Sequence, residues 1–198
     1  MRKWIRICLC VCMVSAVFGC SPKKAEAPKY TAQETLTQYI EAMKKQDGVA
    51  MSEFTISGTG DNFAISSADA EAIGFGADMI QSLFNSLFSF TYTMEEQPTD
   101  ASDKTSFIVS ITTYDVKQVL NDAVEANSET FAEIQQNNES EDANKQIADI
   151  LVSAFQEAPL EYQNSFTFEL DLIDNAWKVD DSNVQDFYAL LLNTILEE

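Results

Sequence analysis

All four cysteines of this 198-residue chain, Cys8, Cys10, Cys12 and Cys20, fall within its first twenty residues. Nothing after Cys20 can form a disulfide or a thiolate metal site, so whatever folds there is held together by its apolar core. The same twenty residues carry a second pattern. Arg2, Lys3 and Arg6 make a basic start, and an apolar stretch follows from Ile5 to Phe18. That is the layout of a secretory signal peptide. An uncleaved membrane anchor is the alternative, but at about 14 residues the stretch is short of the roughly 20 that a helix needs to span a bilayer.

The stretch ends in Val17-Phe18-Gly19-Cys20, with a small residue and then a cysteine where the cleavage site should be. This arrangement resembles the lipobox of bacterial lipoproteins. The resemblance implies that residues 1–19 are removed, that the Cys20 sulfur is diacylated, and that the mature chain begins there. Cys8, Cys10 and Cys12 would leave with the leader. The partner implied is the lipid bilayer, and the location is the outer face of a bacterial cell membrane.

Thirty-two acidic residues oppose twelve basic ones, for a net charge of −20. Losing Arg2, Lys3 and Arg6 with the leader deepens this by three, to −23. Such a charge keeps a protein in solution and repels other polyanions. Nucleic acid is excluded as a partner, because phosphate binding needs clustered Lys and Arg. Lys23, Lys24 and Lys29 stand beside the lipid site, where they read as part of a solvated tether or as a patch for anionic headgroups.

Residues 20–30 read as the lipidated cysteine and its tether, since Pro22, Pro28 and few apolar residues argue against packing. Residues 31–198 are expected to form one α+β domain, long enough for a substantial core. Thr31 and Glu34 make a capping box, and Leu36, Tyr39, Ile40 and Met43 recur at helical spacing until Asp47-Gly48 ends the helix. The segment from Val49 to Ile65 has no clean period. A second helix is expected over 68–87, capped by Ser67 and weakened by Gly74 and Gly76.

Period two follows. Phe90, Tyr92 and Met94 alternate with Thr91, Thr93 and Glu95, and Phe107, Val109 and Ile111 alternate with polar residues except at Ile108. These runs read as an antiparallel pair. Asp115 can cap a helix reaching about Gln136, and another helix is expected over 141–156, making a helical insertion between strands. Tyr162, Phe166, Phe168, Leu170 and Leu172 then share one parity of a strand. Asp174-Asn175 turns it into a short partner over 176–180, and Asp181-Ser182-Asn183 caps a final helix with Val184, Phe187, Tyr188, Leu191 and Ile195 on its apolar side.

The capped first helix over 33–47, the terminal hairpin around Trp177 to Asp180 and the helix after it resemble bacterial lipoprotein domains of unknown function related to the nuclear-transport-factor-two-like superfamily, in their Gram-positive form. The resemblance implies a curved antiparallel sheet packed on helices, a cone-like or cystatin-like roll, here with a helical insertion and a C-terminal helix. It carries over no catalytic residue, and the fold hosts both enzymes and binding modules.

The chain has no His, and no Cys after position 20. The commonest general base, metal ligand and thiol nucleophile are therefore missing, and no metal or cofactor is expected. Carboxylate pairs remain: Asp171 with Asp174, and Asp180 with Asp181. Both sit at expected strand ends or turns, where water keeps carboxylates ordinary. Ser57 to Asn62 and Asn137 to Asp142 offer oxygen ligands but lack the spacing of a phosphate loop or an EF-hand. Phe90, Tyr92, Phe107, Phe166, Phe168 and Trp177 would line the concave side of the sheet, either as a pocket for a small apolar ligand or as the core that alternation alone predicts. The expectation is a non-enzymatic, lipid-anchored module that binds an envelope protein or such a ligand. The alternative is a carboxylate-dependent enzyme using a pocket in the cone.

Overall fold

A computed structural model describes residues 27–60, 77–97, 99, 101–137 and 141–192. The leader, Cys20, Lys23 and Lys24 lie outside these residues, as do Asp61 and Asn62, Ser67, Gly74, Gly76, residues 138–140 and Ile195.

The fold is α+β. Helix α1 (Ala32–Lys44) opens on the capping box: the Thr31 N–H donates to Glu34 Oε2 at 2.8 Å, and the Glu34 N–H donates to Thr31 Oγ1 at 3.2 Å. Its apolar side buries Leu36, Tyr39, Ile40 and Met43. The backbone then turns through Gln46 at a φ of 57°. Asp47 both closes α1 and opens the next helix: its N–H donates to the Ala42 carbonyl at 2.9 Å, and its carboxylate accepts from the Ala50 N–H at 2.9 Å to start a second short helix, α2 (Gly48–Ser52). This is why the segment after 48 shows no clean period. One turn of helix followed by a turn, a single bridge residue and bends satisfies neither template. Gly60 comes back so close to the backbone of Gly48 that a side chain there would strike the Gly48 carbonyl. Helix α3 (Ala77–Leu87) leads to the sheet.

Strands β1 (Thr91–Gln97), β2 (Lys104–Thr113), β3 (Tyr162–Ile173) and β4 (Ala176–Val179) lie in sequence order, and every neighbouring pair is antiparallel. The sheet is open. Thr105, Phe107, Val109, Ile111 and Thr113 are buried on one face of β2, and Phe168 and Leu170 are buried on the same face of β3. The opposite face carries mainly Thr, Ser and charged residues, with Ile108 half-buried among them. Asp174 and Asn175 both take positive φ, 50° and 64°, as a two-residue hairpin between right-twisted strands requires. The edge of β4 is covered: Thr55 bridges Val179 in parallel, and the Val179 N–H donates to the Phe54 carbonyl at 2.7 Å.

Between β2 and β3 come α4 (Val116–Ala126), α5 (Ser128–Asn137) and α6 (Glu141–Glu157). The single helix expected from Asp115 to Gln136 is broken at Asn127. There the backbone leaves helical geometry (φ −116°, ψ 25°), and the side-chain amide donates to the Ala123 carbonyl at 2.9 Å. An Asn that competes for a helix carbonyl in this way ends the helix locally. The insertion folds back, and α6 packs on α3. Tyr114, Val119 and Phe155 form a satellite cluster there with Leu83, Leu87 and Leu160. The last helix, α7 (Val184–Leu191), buries Val184, Phe187, Tyr188 and Leu191 in the main core. Asn183 precedes it but makes no side-chain cap bond. Asp180 instead accepts from the Ser182 N–H at 3.0 Å, and Asp181 bonds across to Ser57.

The described residues of these two clusters lie between Ala32 and Leu191. Among the described residues no helix is long and apolar enough to cross a membrane.

Candidate functional site

The six aromatic residues singled out by alternation come together. Phe90, Phe107 and Phe168 are each about 1% exposed, and Tyr92, Phe166 and Trp177 pack half-buried against them. The space between them is filled from the helical side. Phe187 of α7 places its ring 6.0 Å from Phe90, 5.5 Å from Phe166 and 5.1 Å from Phe168, and Tyr39 of α1 meets Phe168 at 6.1 Å. These tilted and edge-on contacts are the usual geometry of aromatic packing.

Two of the six reach toward water. The Tyr92 hydroxyl donates to Glu41 Oε1 at 3.1 Å, and Lys44 lies over both the Phe90 and the Tyr92 rings, at 5.4 and 5.8 Å. Burial, followed by the bond to Glu41 and its negative charge, pushes the Tyr92 phenol up to about 12. Trp177 borders a surface depression of about 460 Å³ together with Glu96, Gln97, Lys104 and Thr105. Glu96 is exposed there and accepts from the Thr105 hydroxyl at 3.1 Å.

Asp171, Asp174, Asp180 and Asp181 line none of the three concavities described. Asp171 sits directly across the β2–β3 pair from Lys104 and bonds it at 2.9 and 3.0 Å. Asp174 is exposed in the hairpin turn. Asp180 and Asp181 are occupied by Ser182 and Ser57. Among the described residues no three His, Cys, Asp or Glu side chains are placed to hold a metal ion.

A separate concavity lies between α4 and α6. It is an open groove of about 710 Å³. Its floor is made of short apolar side chains, Val119 and Ala123 from α4 and Ile150, Ala154 and Ala158 on and just after α6. Val119 and Ala154 also belong to the satellite cluster, so the floor is the outer surface of a packed core. The rim carries Asp115, Asp122, Asp149, Glu157 and Glu161, and among the described residues no Lys or Arg lines the groove. Local bonds orient these carboxylates. Asp115 caps α4 by accepting from the Gln118 N–H at 3.0 Å, Asp122 accepts from the Gln118 amide at 2.7 Å, and Asp149 pairs with Lys145 one turn away at 2.7 Å.

The sequence reading did not find this groove. Its signal was present in the paired helical spacings, Asp115, Val119 and Asp122 on one helix and Asp149, Ile150, Ser153 and Glu157 on the other. What brings these rows together is the break at Asn127 and the return of α6, which no local pattern announces.

No protein-family profile matches the chain, and no curated protein matches it. Among solved structures, the chain is similar to the crystal structure of a candidate lipoprotein (ycdA) from Bacillus subtilis subsp. subtilis str. 168. The TM-score is 0.53 and the identity 13%, over 80% of this chain and 54% of that one. At that identity the likeness is one of fold, and this chain spans about half the length of the protein it matches.

Proposed function

We propose that this protein is an extracytoplasmic lipoprotein, held at the outer face of a bacterial membrane through Cys20, and that it works by binding rather than by catalysis. The observation that carries the reading is the placement of Cys20. It ends a basic-then-apolar leader and is the last thiol of the chain. The shared fold with a candidate lipoprotein of Bacillus subtilis supports it. Kinship with the nuclear-transport-factor-two-related lipoprotein domains is part of the same reading, supported by the capped opening helix and the terminal hairpin that holds Trp177.

Binding is favoured over catalysis by what the carboxylates do. Those that sequence reasoning could offer as acid and base are engaged at the surface by Lys104, Ser182 and Ser57, and Asp174 faces water in its turn. None has the buried, split environment that lets two carboxylates share acid and base roles. The test of anchoring is metabolic labelling with an alkyne fatty acid in a bacterial host, followed by membrane fractionation. The native chain is expected to carry the label and sediment with membranes, and Cys20→Ser to carry none. A label that persists in Cys20→Ser contradicts the reading.

A further inference from the structure

We infer that the groove between α4 and α6 is a docking site for a basic amphipathic helix of a protein partner. The inference rests on reading the chain as a binding module and names the class of partner that module takes.

Shape comes first. The eleven-residue α4 lines the groove along its length, about 16 Å, and the seventeen-residue α6 lines it only from Asp149 to Glu157, about 14 Å at 1.5 Å per residue. Two helices side by side offer a third a trough of that length. The floor residues Ala123, Ala154 and Ala158 leave no long side chains in the way, so the backbone of an incoming helix can approach closely. Val119 and Ile150 give it apolar surface to cover.

Charge decides the polarity of the guest. Five carboxylates stand on the rim; Lys145 pairs with Asp149 from outside the lining, and no Lys or Arg is among the described lining residues. An acidic or neutral polar segment gains nothing against that field. A helix with an apolar stripe flanked by Lys or Arg sets its stripe on the floor and its cations on the rim. This is the helix-in-groove mode of recognition, with complementary charge steering the encounter. The chain's own net charge of −20 acts in the same sense at longer range.

The experiment uses the chain from Ser21 to Glu198, which contains every described residue of both cores and is first checked for cooperative unfolding by circular dichroism. The probe is an amidated eighteen-residue peptide of Leu and Lys with Leu at i, i+3, i+4 and i+7. Its controls are a scrambled peptide of the same composition and a version with Glu in place of Lys. Affinity is measured by fluorescence anisotropy, and the contact surface is mapped by backbone amide shifts in NMR. The expected result is saturable binding of the first peptide alone, with shifts clustered on α4 and α6. Doubling the salt weakens it, and D122N/E157Q lowers affinity about three- to tenfold, as removal of two partly exposed charges should. Ala154→Arg blocks the trough outright. Because that variant borders the satellite cluster, the exposed D122N/E157Q pair keeps the test valid if it misfolds. Equal binding of scrambled and stripe peptides, or an affinity unchanged in D122N/E157Q, overturns the inference. Shifts confined to another surface overturn it while leaving a binding module in place. The fatty-acid label on Cys20 reports the anchored reading independently of either result.

Discussion

Phe107 of β2 and Phe168 of β3 stand directly opposite each other in the sheet, each about 1% exposed, although the whole α4–α6 insertion separates them in sequence. The same register sets Thr113 beside Tyr162, so the two ends of the insertion are fixed next to each other. Between those fixed ends α6 packs on α3 and α4 packs on α6, the two walls of the groove.

Phe168 should accordingly be among the costliest residues to truncate. It meets Tyr39, Phe166 and Phe187 by ring contacts. Phe168→Ala is expected to lose about 3–5 kcal/mol, from lost apolar transfer and the cavity left behind. Urea unfolding followed by circular dichroism measures it. A loss below about 1 kcal/mol would mean that the space is open rather than packed, and would restore the pocket that alternation also allowed.

The capping box gives a prediction with a defined sign in pH. Glu34 is held below the ordinary glutamate value by the Thr31 backbone N–H first and the Thr31 hydroxyl second. A depressed carboxylate adds stability above its unfolded value and loses it as pH falls through the folded one. Thr31→Ala should therefore raise the Glu34 titration in NMR and flatten the acid limb of the stability curve. An unmoved Glu34 titration in that variant would show that the hydroxyl bond is not formed in solution.

At the alkaline end the group to follow is Tyr92, whose phenol is raised to about 12 by burial and by Glu41. Here the sign reverses. The contribution is complete below the unfolded value of about 10 and fades as pH rises toward the folded one. Glu41→Gln removes the negative charge and should bring phenolate absorbance in at lower pH. If Tyr92 titrates in the native protein at the ordinary tyrosine value of about 10, its bond to Glu41 is absent.

Most of the sheet could be read from sequence because strands announce themselves locally. Parity alone put Phe107, Val109 and Ile111 on one face and Phe168 and Leu170 on one face, and both rows are buried together. Thr31 and Glu34 were equally legible, since a capping box needs only four residues. What failed were junctions decided by competition. Asp47 ends α1 with its N–H on the Ala42 carbonyl and begins α2 with its carboxylate on the Ala50 N–H; Asn127 could continue a helix or cap it, and the Ala123 carbonyl settled that. The groove was hidden for a stronger reason. Its two walls are adjacent only after α6 has packed on α3, a long-range event that leaves no periodic trace.

The cross-strand pair of Lys104 and Asp171 is expected to matter little. Both groups are substantially exposed, at 63% and 31% of their side-chain surface, and exposed pairs are weak and screened by salt. Asp171→Asn should leave the urea midpoint nearly unchanged, with any small difference vanishing at high salt. A large, salt-independent loss would assign Asp171 a role that its geometry does not suggest.

The account stands most directly on the amino terminus of the mature chain. Intact-protein mass spectrometry of the membrane-extracted protein from a bacterial host reads it in one step. The account predicts a chain that begins at Cys20 and carries the added mass of a diacylglyceryl group, both absent in Cys20→Ser. A mass equal to the whole 198-residue chain, or to an unmodified chain cut at another residue, would contradict it.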